Sequence, residues 1–71
     1  MPQPTKIFIE KVELNQRRLD RLRYKENPYR QAKICHSLIH NLIEAYDKYG
    51  KTEAGRALIW SIRSDISEHI I

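Results

Sequence analysis

The sequence predicts an all-α fold, a small three-helix antiparallel bundle, and three observations carry that prediction. Apolar residues recur at helical spacing in three successive segments. Turn signals separate the segments at Asn27-Pro28 and at Tyr49-Gly50-Lys51-Thr52. The one β-branched stretch, around Ile7, Ile9 and Val12, has no second strand candidate to pair with, and a lone strand leaves its backbone ladder unpaired. The helices are expected over residues 5–26, 28–49 and 53–70, and the short connections between them favour antiparallel neighbours. Residues 1–71 read as a single helical domain, with residues 1–4 as a flexible lead.

The first segment is the most strand-like in composition, because Lys6 to Val12 is rich in β-branched residues. Wound as a helix, it places Phe8, Val12, Leu19 and Leu22 on one seam, with Asn15 as a polar interruption. Residues 6–12 are either the first turns of that helix or an extended lead. In the second segment Asn27 is the expected N-cap and Pro28 the first helical residue, where the missing N–H does no harm. Gln31, Ile34, Cys35, Leu38, Leu42, Ala45, Tyr46 and Tyr49 then fall on one side, and Ala32, Ile39 and Ile43 widen that side to roughly half the circumference. A stripe so broad is expected to pack between two neighbouring helices. Gly50 is expected to end this helix in the left-handed conformation, and Thr52 to cap the next. Gly55, Leu58, Ile59, Ile62, Ile66 and Ile70 form a narrower seam on the third helix, suited to one neighbour, and Glu53 lies at the favourable end of its dipole.

Composition narrows the function classes. A chain of 71 residues buries only about 60% of the surface its unfolded form exposes, so the core is thin. It holds no run of 18 apolar residues and opens without the apolar stretch of a secretory signal, which makes a cytoplasmic location the expectation. One cysteine, Cys35, cannot form an internal disulfide and fits a reducing compartment. The net charge of +4 is concentrated: residues 15–33 carry seven cations (Arg17, Arg18, Arg21, Arg23, Lys25, Arg30, Lys33) against two anions, Asp20 and Glu26. Such a patch suits phosphates or an acidic partner, and cations near a helix C-terminus also stabilise its dipole with no ligand at all.

Residues that the core does not explain are the candidates for function. Arg17, Arg18, Arg21 and Lys25 form a stripe opposite the seam of the first helix, with Ile7 and Leu14 on the same outer side. Trp60 points away from Ile62 among Ala57, Ser64, Ser67 and Ile71, and tryptophan is enriched at interface hot spots. Trp60, Ile71 and Leu14 are therefore the expected partner-binding residues. Their outward apolar surface predicts self-association, as a homodimer.

Little points to catalysis. His36 and His40 share a helix face at a metal-ligand spacing, but Asp47 is too far along to complete a site, so no metal and no cofactor are expected. Arg30 and His36 stand at a spacing similar to the arginine–histidine motif of HEPN-type ribonucleases, which act on RNA at a dimer interface. Cys35 lies in an apolar seam without an activating partner. Gln31-Ala32-Lys33-Ile34-Cys35-His36-Ser37-Leu38 resembles the opening of the second helix in the plasmid RNA-one modulator family, dimers of helical hairpins that bind paired RNA loops. That resemblance covers eight residues and implies that basic first-helix residues form an RNA face. Ser61-Ile62-Arg63-Ser64-Asp65 resembles part of the motif of the short helical-hairpin phosphatases of sporulation control, with the serine and aspartate at a shifted spacing. The chain is assigned to none of these families. The expected function is that of a small non-enzymatic regulatory or adaptor protein acting by protein–protein binding, with no small-molecule substrate. The alternative is a nucleic-acid-binding regulator, of RNA or DNA, that uses Arg17, Arg18, Arg21 and Lys25.

Overall fold

The computed structural model describes residues 2–22 and 28–69, and these form three helices: α1 (Lys6–Arg21), α2 (Pro28–Tyr49) and α3 (Glu53–His69). Thr5 opens α1. Its backbone is extended, and its hydroxyl accepts from the Phe8 amide at 3.1 Å, which satisfies one of the donors a helix start leaves orphaned. Residues 6–12 are thus helical, and the strand-like composition yields to the packing of Phe8 and Val12 against the bundle. The helix stops earlier than the expected residue 26. Leu22 is its C-cap, with an amide bonded to the Leu19 and Asp20 carbonyls. Residues 23–27, including Lys25 and the expected cap Asn27, lie outside the described residues, as do Met1, Ile70 and Ile71.

α2 begins at Pro28, as expected, and packs along most of α3 and along part of α1, while α1 and α3 touch least. The core is Phe8, Val12 and Leu19 from α1, Cys35, Leu38, Ala45 and Tyr49 from α2, and Ile59 and Ile62 from α3. Phe8 and Tyr49 close one end of it, ring centroids 5.2 Å apart. The expected breadth of the buried stripe on α2 is corrected: Ala32, Ile39, Ile43 and Tyr46 are exposed. Their side of the helix is left largely uncovered, because α1 and α3 both pack mainly on the Cys35–Leu38–Ala45 side. In the other direction the buried face includes Asn41, whose amide oxygen accepts from Asn15 Nδ2 at 2.9 Å. Among the described residues no helix is long and apolar enough to cross a membrane.

The turn into α3 is a compact latch. Thr52 is the N-cap, as expected: its hydroxyl donates to the Tyr49 carbonyl (2.9 Å) and accepts from the Gly55 amide (3.0 Å), while its own amide also bonds the Tyr49 carbonyl. A Cβ on Gly55 would come within 1.8 Å of the Tyr49 oxygen. Glycine is thus required by close approach of two backbones. The same holds for Gly50, where a Cβ would meet the Tyr46 carbonyl at 2.6 Å. The expected left-handed conformation there is corrected, since no described glycine has positive φ. Gly55→Ala is expected to lower unfolding stability by about 1–3 kcal/mol through this overlap, and Thr52→Ala by about 1 kcal/mol through loss of the cap. Urea denaturation followed by circular dichroism measures both, and a Gly55→Ala protein as stable as the parent would refute the latch.

Candidate functional site

The expected partner-binding residues separate in space. Trp60 stands 67% exposed on the outer side of α3, opposite the core residue Ile62, and the Arg63 guanidinium lies over its ring at 5.2 Å. That stacking holds the indole against its own helix and leaves its other face open. Leu14 and Ile7 are exposed on α1, on a different side of the bundle. Ile71 lies outside the described residues.

A row of exposed apolar residues runs along α2, taking in Ile39, Ile43 and Tyr46, for which the sequence predicts a place in the core. Tyr29, Ile39, Ile43 and Tyr46 are 70%, 38%, 60% and 53% exposed. Ala32 and His36 fill the gaps between them, also exposed. His36 packs edge-on against His40, ring centroids 4.6 Å apart, and Lys33 Nζ lies 5.0 Å from the centre of the Tyr29 ring. Beside this row, Pro28, Gln31, Ala32, Cys35, Ile39 and His69 border a groove of about 480 Å³ between α2 and the end of α3. Gln31 Nε2 and His69 Nδ1 are 3.2 Å apart within it. Cys35 is buried, and that burial pushes its thiol above the usual cysteine value, so it packs as a small apolar residue without thiolate character.

The arginine stripe also divides. Arg18 and Arg21 line a cleft of about 690 Å³ between α1 and α2, while Arg17, though exposed, does not border it. The opposite wall comes from α2: Tyr29, Arg30, Lys33 and Ser37, whose hydroxyl donates back to the Lys33 carbonyl at 3.2 Å. Four cations and no carboxylate border this cleft among the described residues. Arg30, Lys33 and Tyr29 are the cleft residues that a reading of α1 alone misses. The signal for them was the continuation of the basic run past Pro28, on a helix that returns alongside α1.

Acidic groups gather on the other flank of α1. Asp65 on α3 is half-buried, and burial is the first cause that raises its carboxyl above the ordinary aspartate value; Asp20 and Glu68 push it further the same way, against a hydrogen bond from Gln16 and the nearby His69. Gln16 also donates to Ser61 Oγ at 2.9 Å. Elsewhere Glu44 holds Lys48 at 3.6 Å and Lys11 at 3.9 Å. Among the described residues no three His, Cys, Asp or Glu side chains are grouped to hold a metal ion.

A folded-state pKa above the unfolded value means that the folded chain holds the Asp65 proton more tightly, so stability falls as pH rises through that pKa. Asp65→Asn is therefore expected to raise the thermal midpoint at pH 7, and the gain should vanish as the pH is lowered below the aspartate range. A pH series of melting curves reads this, and an unchanged or lower midpoint at pH 7 would contradict it.

No family model matches the chain, and neither a curated protein nor a solved structure shows significant similarity to it.

Proposed function

We propose that this chain is a small non-enzymatic regulatory or adaptor protein that acts by binding other proteins through exposed helix faces. One observation carries the reading. Among the described residues, seven large apolar side chains stand in solvent (Ile7, Leu14, Tyr29, Ile39, Ile43, Tyr46 and Trp60), while the buried apolar core has nine residues, Ala45 and Cys35 included. Scattered exposed apolar residues are ordinary, but a contiguous row on a domain this small is the mark of an interaction surface. Trp60 supplies a rigid, amphipathic anchor on a separate face. A cytoplasmic setting accords with a lone, buried cysteine.

Affinity capture with the immobilised chain tests this reading. Trp60→Ala should leave helicity intact and lose at least one specifically retained protein. If wild type retains nothing specific, or if Trp60→Ala unfolds the chain, the reading fails.

A second reading has its own support in the α1–α2 cleft. Arg18 and Arg21 face Arg30 and Lys33 across it, and the exposed Tyr29 ring adds a stacking surface that α1 lacks. These residue types match the phosphate backbone and bases of a nucleic acid, in a basic protein of net charge +4. Lys25, the remaining member of the expected stripe, lies outside the described residues. Under this reading, affinity for a structured RNA or a DNA duplex falls steeply with salt, and Arg21→Ala lowers the log–log slope by about 1. Absence of binding at low salt removes it.

A further inference from the structure

The exposed row on α2 has a spacing that singles out its occupant. Tyr29, Ala32, His36, Ile39, Ile43 and Tyr46 follow one another at alternating steps of three and four residues, the a/d pattern of a two-helix seam. Every one of the six is exposed, so the pattern is not spent on the bundle's own core. At 1.5 Å per residue the row runs for about 25 Å, nearly the full length of the helix. None of its six residues carries a permanent charge.

We propose that the occupant is a second copy of this chain, with the two α2 helices packed antiparallel about a two-fold axis. The proposal rests on the protein-binding reading above and names the partner of one of its faces. Two observations favour a copy in this orientation over other partners. The first is charge. The flank of the row facing away from α3 reads Lys33, His40 and Asp47 at successive heptads, all exposed, so it is positive at one end and negative at the other. An antiparallel copy brings Lys33 of each chain towards Asp47 of the other, twice by symmetry. A parallel copy would turn this flank towards the Cys35–Leu42–Tyr49 side of the other helix and leave Lys33 and Asp47 without an opposite charge across the seam.

The second observation is size. When the row is laid against itself in reverse, Tyr29 meets Tyr46, His36 meets Ile39, and Ala32, the smallest member, meets Ile43. The groove bordered by Ala32, Cys35 and Ile39 is then a hole for the Ile43 side chain of the second copy. Parallel pairing would place alanine against alanine and leave that hole empty. The dimer leaves Trp60 on α3, and Arg18, Arg21 and Arg30 on the α1 side, outside the seam. A two-fold pair thus presents two copies of each.

Sedimentation velocity and light scattering across a concentration series test the proposal. Wild type is expected to pass from monomer to dimer, and Ile43→Glu to raise the dissociation constant at least about tenfold with unchanged helicity, because Ile43 is exposed in the single chain. Lys33→Asp and Asp47→Lys should each weaken the dimer, and the double variant should restore it. A wild type that stays monomeric overturns the proposal, as does a dimer indifferent to Ile43→Glu. Dissociation by Trp60→Ala instead would move the self-contact to α3 and overturn it too. A double charge swap that fails to rescue would refute the antiparallel register. Capture of a partner that depends on Trp60 is read separately, so loss of the dimer alone leaves the wider binding reading standing.

Discussion

The Thr52 hydroxyl ties the last carbonyl of α2 to the Gly55 amide in the first turn of α3, and the geometry of the bundle depends on that tie. With Tyr49, Thr52 and Gly55 within hydrogen-bonding reach, the chain has no slack with which to choose where α3 goes. It returns along the Cys35–Leu38–Ala45 side of α2, the side that α1 also uses. Two neighbours on one side complete, among the described residues, a core of nine buried apolar residues and leave the far side of α2 largely uncovered. The outward apolar row is thus a consequence of the turn, and not of a shortage of helices.

With so thin a core, apolar burial alone would allow the helices to slide, since neighbouring registers of leucine and isoleucine differ little in free energy. Polar ties select among those registers. Each pair of helices has at least one between side chains: Asn15 with Asn41 for α1 and α2, Gln16 with Ser61 for α1 and α3, and Gln31 with His69 for α2 and α3. Asn41 is the most consequential, because it is buried. A net hydrogen bond contributes only about 1 kcal/mol, whereas a buried amide stripped of its partner costs about 1–3 kcal/mol. The pair therefore acts less by stabilising the native register than by penalising every register in which the two asparagines miss.

Much of the fold was legible in the sequence, and the failures share a cause. Pro28, Tyr49 and Glu53 mark helix boundaries through chemistry that acts within a turn: a ring that suits a first position, a chain stop, a capped start. Thr52 was legible as a cap for the same reason. Ala32, Ile39, Ile43 and Tyr46 were read as core because periodicity reports which residues share a side, and says nothing about how many neighbours cover it. The burial of Asn41 is not legible, because a polar residue beside an apolar stripe looks like a break until its partner, 26 residues earlier, is known to lie opposite. A glycine after a helix suggests left-handed backbone, while at Gly50 the constraint is the Tyr46 carbonyl. Of the candidate site, Trp60 was legible as outward, whereas the cleft became visible only when α2 laid Arg30 and Lys33 beside Arg18 and Arg21.

That division of surface would let one small chain offer more than one contact, as proposed above. Cations border the α1–α2 cleft, carboxylates crowd the α1–α3 flank around Asp65, and the uncharged row lies on the remaining side of α2. Like charges gathered on two walls of one cleft repel one another, and nothing in the core requires that arrangement. Surface positions are free to be polar of either sign, so segregation of sign by face is a property of the outer surface alone. The apolar row obeys the same logic. Replacing Ile43 by a polar residue would cost the single chain little, because the residue is 60% exposed there.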